Sequence, residues 1–155
     1  MKMAELHKPD TRVNVGTYTF TDEKIIRFAR SFDPQPFHVD AEAAKDYVFG
    51  GLCASGWHTA AAWMQTFLGY WQRESERLTR EGQEPPKLGP SPGFTSLKWL
   101  RPVFAGETVT YYVTLTGSRA LASRPGLILN TTLVEAENQD QLPVLRFDGS
   151  VLEYE

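Results

Sequence analysis

The apolar residues change their period once along this chain, and the change divides it into two halves. In the first half Trp57, Ala60, Ala61, Met64, Phe67, Leu68 and Trp71 recur at three- and four-residue spacing. That spacing predicts a helix from about Gly56 to about Arg80. Arg73, Glu76, Arg77 and Arg80 form its polar face near the end, and Gly69 is its weak point. At about 1.5 Å per residue, such a helix is as long as a small domain is wide, which makes it the expected central packing element. Two shorter helices are predicted upstream. Thr21 reads as an N-cap, followed by Asp22 and Glu23 at the positive end of the dipole and by Ile25, Ile26, Phe28 and Ala29 as the apolar side. Pro34 and Pro36 end that helix and predict an irregular stretch from Phe32 to His38. Asp40 reads as the cap of a second helix through Ala41, Ala43, Ala44 and Tyr47.

In the second half the period becomes two. Val109, Tyr111, Val113 and Leu115 alternate with threonines and Tyr112, which predicts a half-buried strand. Further strands are predicted at Phe94 to Leu100, Leu127 to Glu135 and Leu142 to Glu153, and a short one at Val13 to Phe20. Short turns between the later strands argue for antiparallel neighbours. Between the halves, Glu81 to Pro92 carries four prolines and two glycines, which predicts a long loop. The flanking segments are too small to fold separately, so residues 1–155 are expected to form one domain. Helices first and strands after give an α+β class: one long helix on an antiparallel sheet.

Charge narrows the function classes. Sixteen Lys and Arg face nineteen Asp and Glu, a net charge of −3, which argues against nucleic acid as the main partner. Hydrophobic residues at 41% and charged residues at 23% exclude a disordered chain. The single cysteine, Cys53, forbids an intrachain disulfide and fits a reducing compartment. The first ten residues carry no apolar core of a signal peptide, and no apolar run is long enough to span a membrane. A cytoplasmic protein with no membrane partner is the expectation.

Candidate chemistry gathers in Asp33-Pro34-Gln35-Pro36-Phe37-His38. Two prolines fix a short loop, and a bend brings a carboxylate and an imidazole toward one point, a common acid/base pair. On spacing alone the stronger reading makes Asp33 a cap or turn former and His38 a satisfied, half-buried histidine. Ser55 reads as the N-cap of the long helix and Cys53 as a small buried residue without a basic partner. His58 reads as structural or solvent-facing. His38 and Asp40 lack further ligands at metal-binding spacing, and no dinucleotide or phosphate-binding fingerprint is present, so neither metal nor redox cofactor is expected.

The Asp33–His38 segment resembles the signature of the MaoC-like dehydratases, which include the (R)-specific enoyl-CoA hydratases. Their pattern runs Asp, any residue, Asn, Pro, aliphatic, His; here Gln35 stands for the Asn and Phe37 for the aliphatic residue. Phe49-Gly50-Gly51-Leu52-Cys53-Ala54-Ser55-Gly56-Trp57-His58-Thr59 is similar to the family's entry into its central helix. Leu100-Arg101-Pro102-Val103-Phe104-Ala105-Gly106-Glu107-Thr108 is similar to its strand-turn-strand. The resemblance implies a hot-dog fold, a long central helix wrapped by an antiparallel β-sheet.

It also implies addition of water to a trans-2-enoyl thioester, or its removal from a (3R)-3-hydroxyacyl thioester. Asp33 and His38 are then the catalytic pair holding one water, and the Gly56 N–H is the oxyanion donor. Coenzyme A or an acyl carrier enters only as part of the substrate. A homodimer or higher homo-oligomer is implied too, and it relieves the unpaired edges of a sheet. Trp57, Trp63, Trp71 and Trp99 are either core or the lining of an acyl tunnel. Met64 stands where some relatives carry a helix serine. Lys98 and Arg101 are either phosphate contacts or edge charges. Two other readings stay open: a catalytically inactive acyl-thioester-binding or partner subunit, suggested by Gln35, and a hot-dog thioesterase, for which Glu74 and Glu76 lie too far along the helix.

Overall fold

The computed structural model describes residues 1–155. The elements, in order, are α1 (Met3–Leu6), β1 (Arg12–Thr19), α2 (Asp22–Phe32), α3 (Pro36–Val39), α4 (Ala41–Ala44) and α5 (Gly56–Arg80). Then come β2 (Lys87–Leu88), β3 (Gly93–Trp99), β4 (Thr108–Ala120), β5 (Leu127–Glu137) and β6 (Pro143–Tyr154). All strands join one antiparallel sheet in the order β1-β4-β5-β6-β2, with β3 also paired to β6. The sheet curls around α5, the α+β arrangement the two periods predict.

The alternation in β4 does what it should. Val109, Tyr111, Val113 and Leu115 are all buried, and the first three join Val134 and Ala136 of β5 and Leu145 and Phe147 of β6 in the core. From α5, Thr59, Ala62, Trp63 and Thr66 face this sheet, spaced one helical turn apart. The Tyr111 hydroxyl donates to the Thr59 carbonyl at 2.8 Å, pinning the start of α5 to the middle of the sheet. The helix runs its full predicted length through Gly69 and ends at Gly82. There a positive φ of 74° lets the Gln83 N–H reach back to the Leu78 carbonyl at 2.9 Å.

Thr21 and Asp40 cap their helices as predicted. Thr21 Oγ1 accepts from the Lys24 N–H at 3.2 Å, and Asp40 Oδ1 accepts from Glu42 and Ala43. Three local expectations need correction, and one element had none. Pro36 to Val39 is a helical turn rather than irregular chain, because Pro36 sits at a first-turn position where its missing N–H and fixed φ are no handicap. Residues 3–6 form a turn of helix that apolar periodicity is too short to announce. Lys87 and Leu88 of the proline-rich loop pair with β6. Ser55 occupies the N-cap of α5, but its side chain caps nothing; its buried Oγ has no partner.

The β3 edge is unlike the rest of the sheet. Almost every residue of β3 is exposed, Phe94 and Trp99 among them. Beside it, Trp57, Met64 and Leu68 form an exposed apolar stripe on α5. Between stripe and strand lies a cavity of about 730 Å³, lined mainly by hydrophobic side chains including Trp71, Leu97 and Val134.

Candidate active site

Two prolines and a helix end create the first half of the site. Asp33 closes α2 as its C-cap, with its N–H on the Ala29 carbonyl at 2.8 Å. Pro34 and Pro36 then hold the chain in a tight corner. The Gln35 N–H donates to the Asp33 carbonyl at 2.8 Å, and the His38 N–H donates to the Gln35 carbonyl at 2.9 Å. The corner therefore turns both functional side chains inward. Asp33 Oδ2 lies 3.4 Å from His38 Nε2, with the His38 side chain 8% exposed and that of Asp33 19% exposed. Both are shielded, yet reachable from outside.

The second half is the approach to α5. Cys53 and Ala54 are held between two segments: the Cys53 N–H donates to the Phe37 carbonyl at 3.2 Å, and the Ala54 N–H to the Val103 carbonyl at 2.8 Å. In return the Cys53 carbonyl accepts from His38 Nδ1 at 2.6 Å. A carbonyl only accepts, so Nδ1 carries the hydrogen. Nε2 is left facing Asp33 Oδ2, so one water beside the two can bond to both.

Gly56 opens α5 three residues after Cys53. A Cβ at this position would lie 2.6 Å from Trp99 Nε1 and 2.7 Å from Cδ2, inside the indole ring. Trp99 Nε1 donates to the Gly56 carbonyl at 2.9 Å, and Trp57 packs edge-on against Trp99 at 5.1 Å. Only glycine fits under this indole. The first-turn N–H groups of a helix have no intrahelical acceptor, and Ser55 supplies none from its side chain. Helix start and acid/base pair are thus fixed side by side through Cys53.

The other sequence candidates fall outside this pair. Cys53 Sγ is buried, burial pushes its thiol up, and it only packs beside His38 Nδ1 at 3.8 Å. His58 faces inward rather than to solvent: its ring stacks on Phe28 at 4.6 Å and its Nε2 meets the Tyr18 hydroxyl at 3.2 Å. Burial, with Lys24 and Arg27 nearby, lowers its pKa to about 4. Trp63 is core, stacked on Phe67, whereas Trp57 and Trp99 stand half-exposed at the helix start. Arg101 is spent on the Pro143 carbonyl. Glu74 is tied to Arg77 at 2.9 Å, and Glu76 accepts from Gln72. Sequence reasoning missed two parts of the site: the Cys53 carbonyl that sets the His38 tautomer, and the Gln35 side chain, whose Nε2 donates to Asp33 Oδ1 at 2.7 Å. Only the proline on each side of Gln35 hinted that its direction is constrained.

A curled antiparallel sheet around one long helix defines a hot-dog protein. Comparison with known proteins agrees. The family model of the MaoC-like domain matches residues 5–137, and the chain belongs to that family. The MaoC-like dehydratase from Rhodospirillum rubrum is 29% identical with a TM-score of 0.78, covering 99% of this chain and 97% of that one. The (R)-hydratase PhaJ1 from Pseudomonas aeruginosa shares the fold at a TM-score of 0.68 and 17% identity, covering 96% of this chain and 83% of that one. Among curated proteins, the uncharacterized protein YdeM of Bacillus subtilis is 26% identical over 130 residues, which is 84% of this chain and 83% of that protein. No helix is long and apolar enough to cross a membrane.

Proposed function

We propose that this protein is a hydro-lyase acting on acyl thioesters. It adds water to a trans-2-enoyl thioester or removes it from a (3R)-3-hydroxyacyl thioester. The observation that carries this reading is the contact of Asp33 Oδ2 with His38 Nε2 at 3.4 Å, with the imidazole ring oriented by its Nδ1 bond to the Cys53 carbonyl. The reacting water stands beside the pair, within reach of both. As its oxygen bonds to C3, the C2–C3 double bond opens. One O–H proton passes to the pair, and a proton is delivered from the pair to C2. One C–O and one C–H bond form, one water is consumed, and nothing is oxidised.

Negative charge developing on the thioester oxygen needs fixed donors. The Gly56 N–H at the uncapped start of α5 serves, because it is polarised by the helix and Gly56 carries no side chain of its own. The apolar cavity beginning beside Trp57 takes the acyl chain. No metal or redox group enters these steps; coenzyme A or an acyl carrier arrives with the substrate. We infer that the exposed β3 edge and the apolar stripe of α5 are covered by a second copy of the chain.

The inactive-subunit reading drew on Gln35, and here that residue holds Asp33 in place. The test is a screen of purified protein against enoyl-CoAs of several chain lengths. Formation of 3-hydroxyacyl-CoA supports the hydratase. Release of free thiol without it identifies a thioesterase instead, and binding without turnover identifies a non-catalytic module.

A further inference from the structure

We propose that Gln35 is a positioning residue: its side-chain amide divides the two oxygens of Asp33 between the protein and the reacting water. This rests on the hydratase reading above. Gln35 sits at the N-cap of α3, where a polar side chain ordinarily bonds to the N–H groups of its own helix. It makes no such bond. The amide instead turns back, and Nε2 donates to Asp33 Oδ1 at 2.7 Å.

A carboxylate rotates readily about its last torsion, which is broad and two-fold. The Asp33 carboxylate faces His38 through Oδ2 at 3.4 Å and accepts from Gln35 through Oδ1 at the shorter distance of 2.7 Å. The amide therefore selects which oxygen faces the imidazole and at what angle. Pro34 and Pro36 restrict the backbone on both sides of Gln35, so the amide is itself held in place.

Gln35 is exposed, so its removal costs the fold little. That separates positioning from structural support. Gln35→Leu keeps the size and loses the donor; kcat for enoyl-CoA hydration is expected to fall about tenfold or more, with KM within about twofold and an unchanged melting temperature. Gln35→Glu places a second carboxylate against Asp33. The two then share a proton, which restores a donor only as pH falls. The rate of Gln35→Glu relative to wild type is therefore expected to rise toward acid pH, while that of Gln35→Leu stays flat. If the wild type hydrates enoyl-CoA and Gln35→Leu matches its kcat, or if the Gln35→Glu ratio does not depend on pH, the positioning role is overturned and the hydratase reading stands. If the wild type hydrates no enoyl thioester, both fall together.

Discussion

Lowering the pH from 7.5 to 5 is expected to remove up to about 2 kcal/mol of stability through one side chain, His58. This ring is 4% exposed. It lies flat on Phe28 at 4.6 Å and edge-on to Phe20 at 4.8 Å, and its Nδ1 is buried without a partner. Burial first, and then Lys24 and Arg27, oppose its protonation and lower its pKa from 6.5 to about 4. In the unfolded chain the ring takes its proton near pH 6.5, and in the folded chain only near pH 4. Between those values the unfolded state binds more protons, so stability is fully present above about pH 6.5 and is lost as the pH falls. The full shift corresponds to about 3 kcal/mol, of which about 2 is reached by pH 5.

Urea unfolding followed by tryptophan fluorescence at pH 7.5 and pH 5 measures this, with His58→Phe as the comparison. Phe keeps a flat ring on Phe28 and cannot titrate. His7, whose pKa is also lowered by burial, and the carboxylates titrate in both proteins, so they cancel in the difference. The wild type should lose up to about 2 kcal/mol more than the variant, equivalent to about 4–8 °C in melting temperature for a chain of this length. Equal losses in the two proteins would refute the assignment. The point bears on function because His58 lies in the first turn of α5, next to the proposed oxyanion donor.

Two further outcomes test other parts of the structure. Gly56→Ala drives a Cβ into the Trp99 indole and should cost about 1–3 kcal/mol; in a Trp99→Ala background the same change should cost clearly less, as thermal melts of the double-mutant cycle will show. Light scattering at micromolar concentration should give at least twice the monomer mass, and Phe94→Lys on the exposed face of β3 should lower it; a monomeric wild type contradicts the proposed use of that edge.

The long helix and the strands were legible because each buries one face over many residues, and burial imposes a period. Residues 56–80 and the alternation from Val109 to Leu115 are the clear cases. The α3 turn was illegible because four residues show no period and two prolines suggest irregular chain. The Asp33–His38 contact lay on the border. The five-residue offset permits it, but what enforces it is a bond from His38 to the Cys53 carbonyl, fifteen residues away. A main-chain acceptor leaves no mark on the sequence, so only the family pattern pointed to the pair. The contact made by Gln35 was illegible for a related reason. As a departure from the pattern Gln35 suggested weakened function, and only the path of its side chain shows that it reaches Asp33. Ser55 reads as a cap by its residue type, yet its hydroxyl is buried and goes unused.

The most direct test of the account compares wild type, Asp33→Asn, His38→Ala and the double variant in hydration of one enoyl-CoA that the wild type accepts. If the two side chains share one water, neither activates it alone. Each single change should then lower kcat by about 10²–10⁴-fold, and the double should be scarcely worse than either single, with KM little changed. Single variants that retain the wild-type rate, or losses that multiply in the double variant, would contradict a water held jointly by Asp33 and His38.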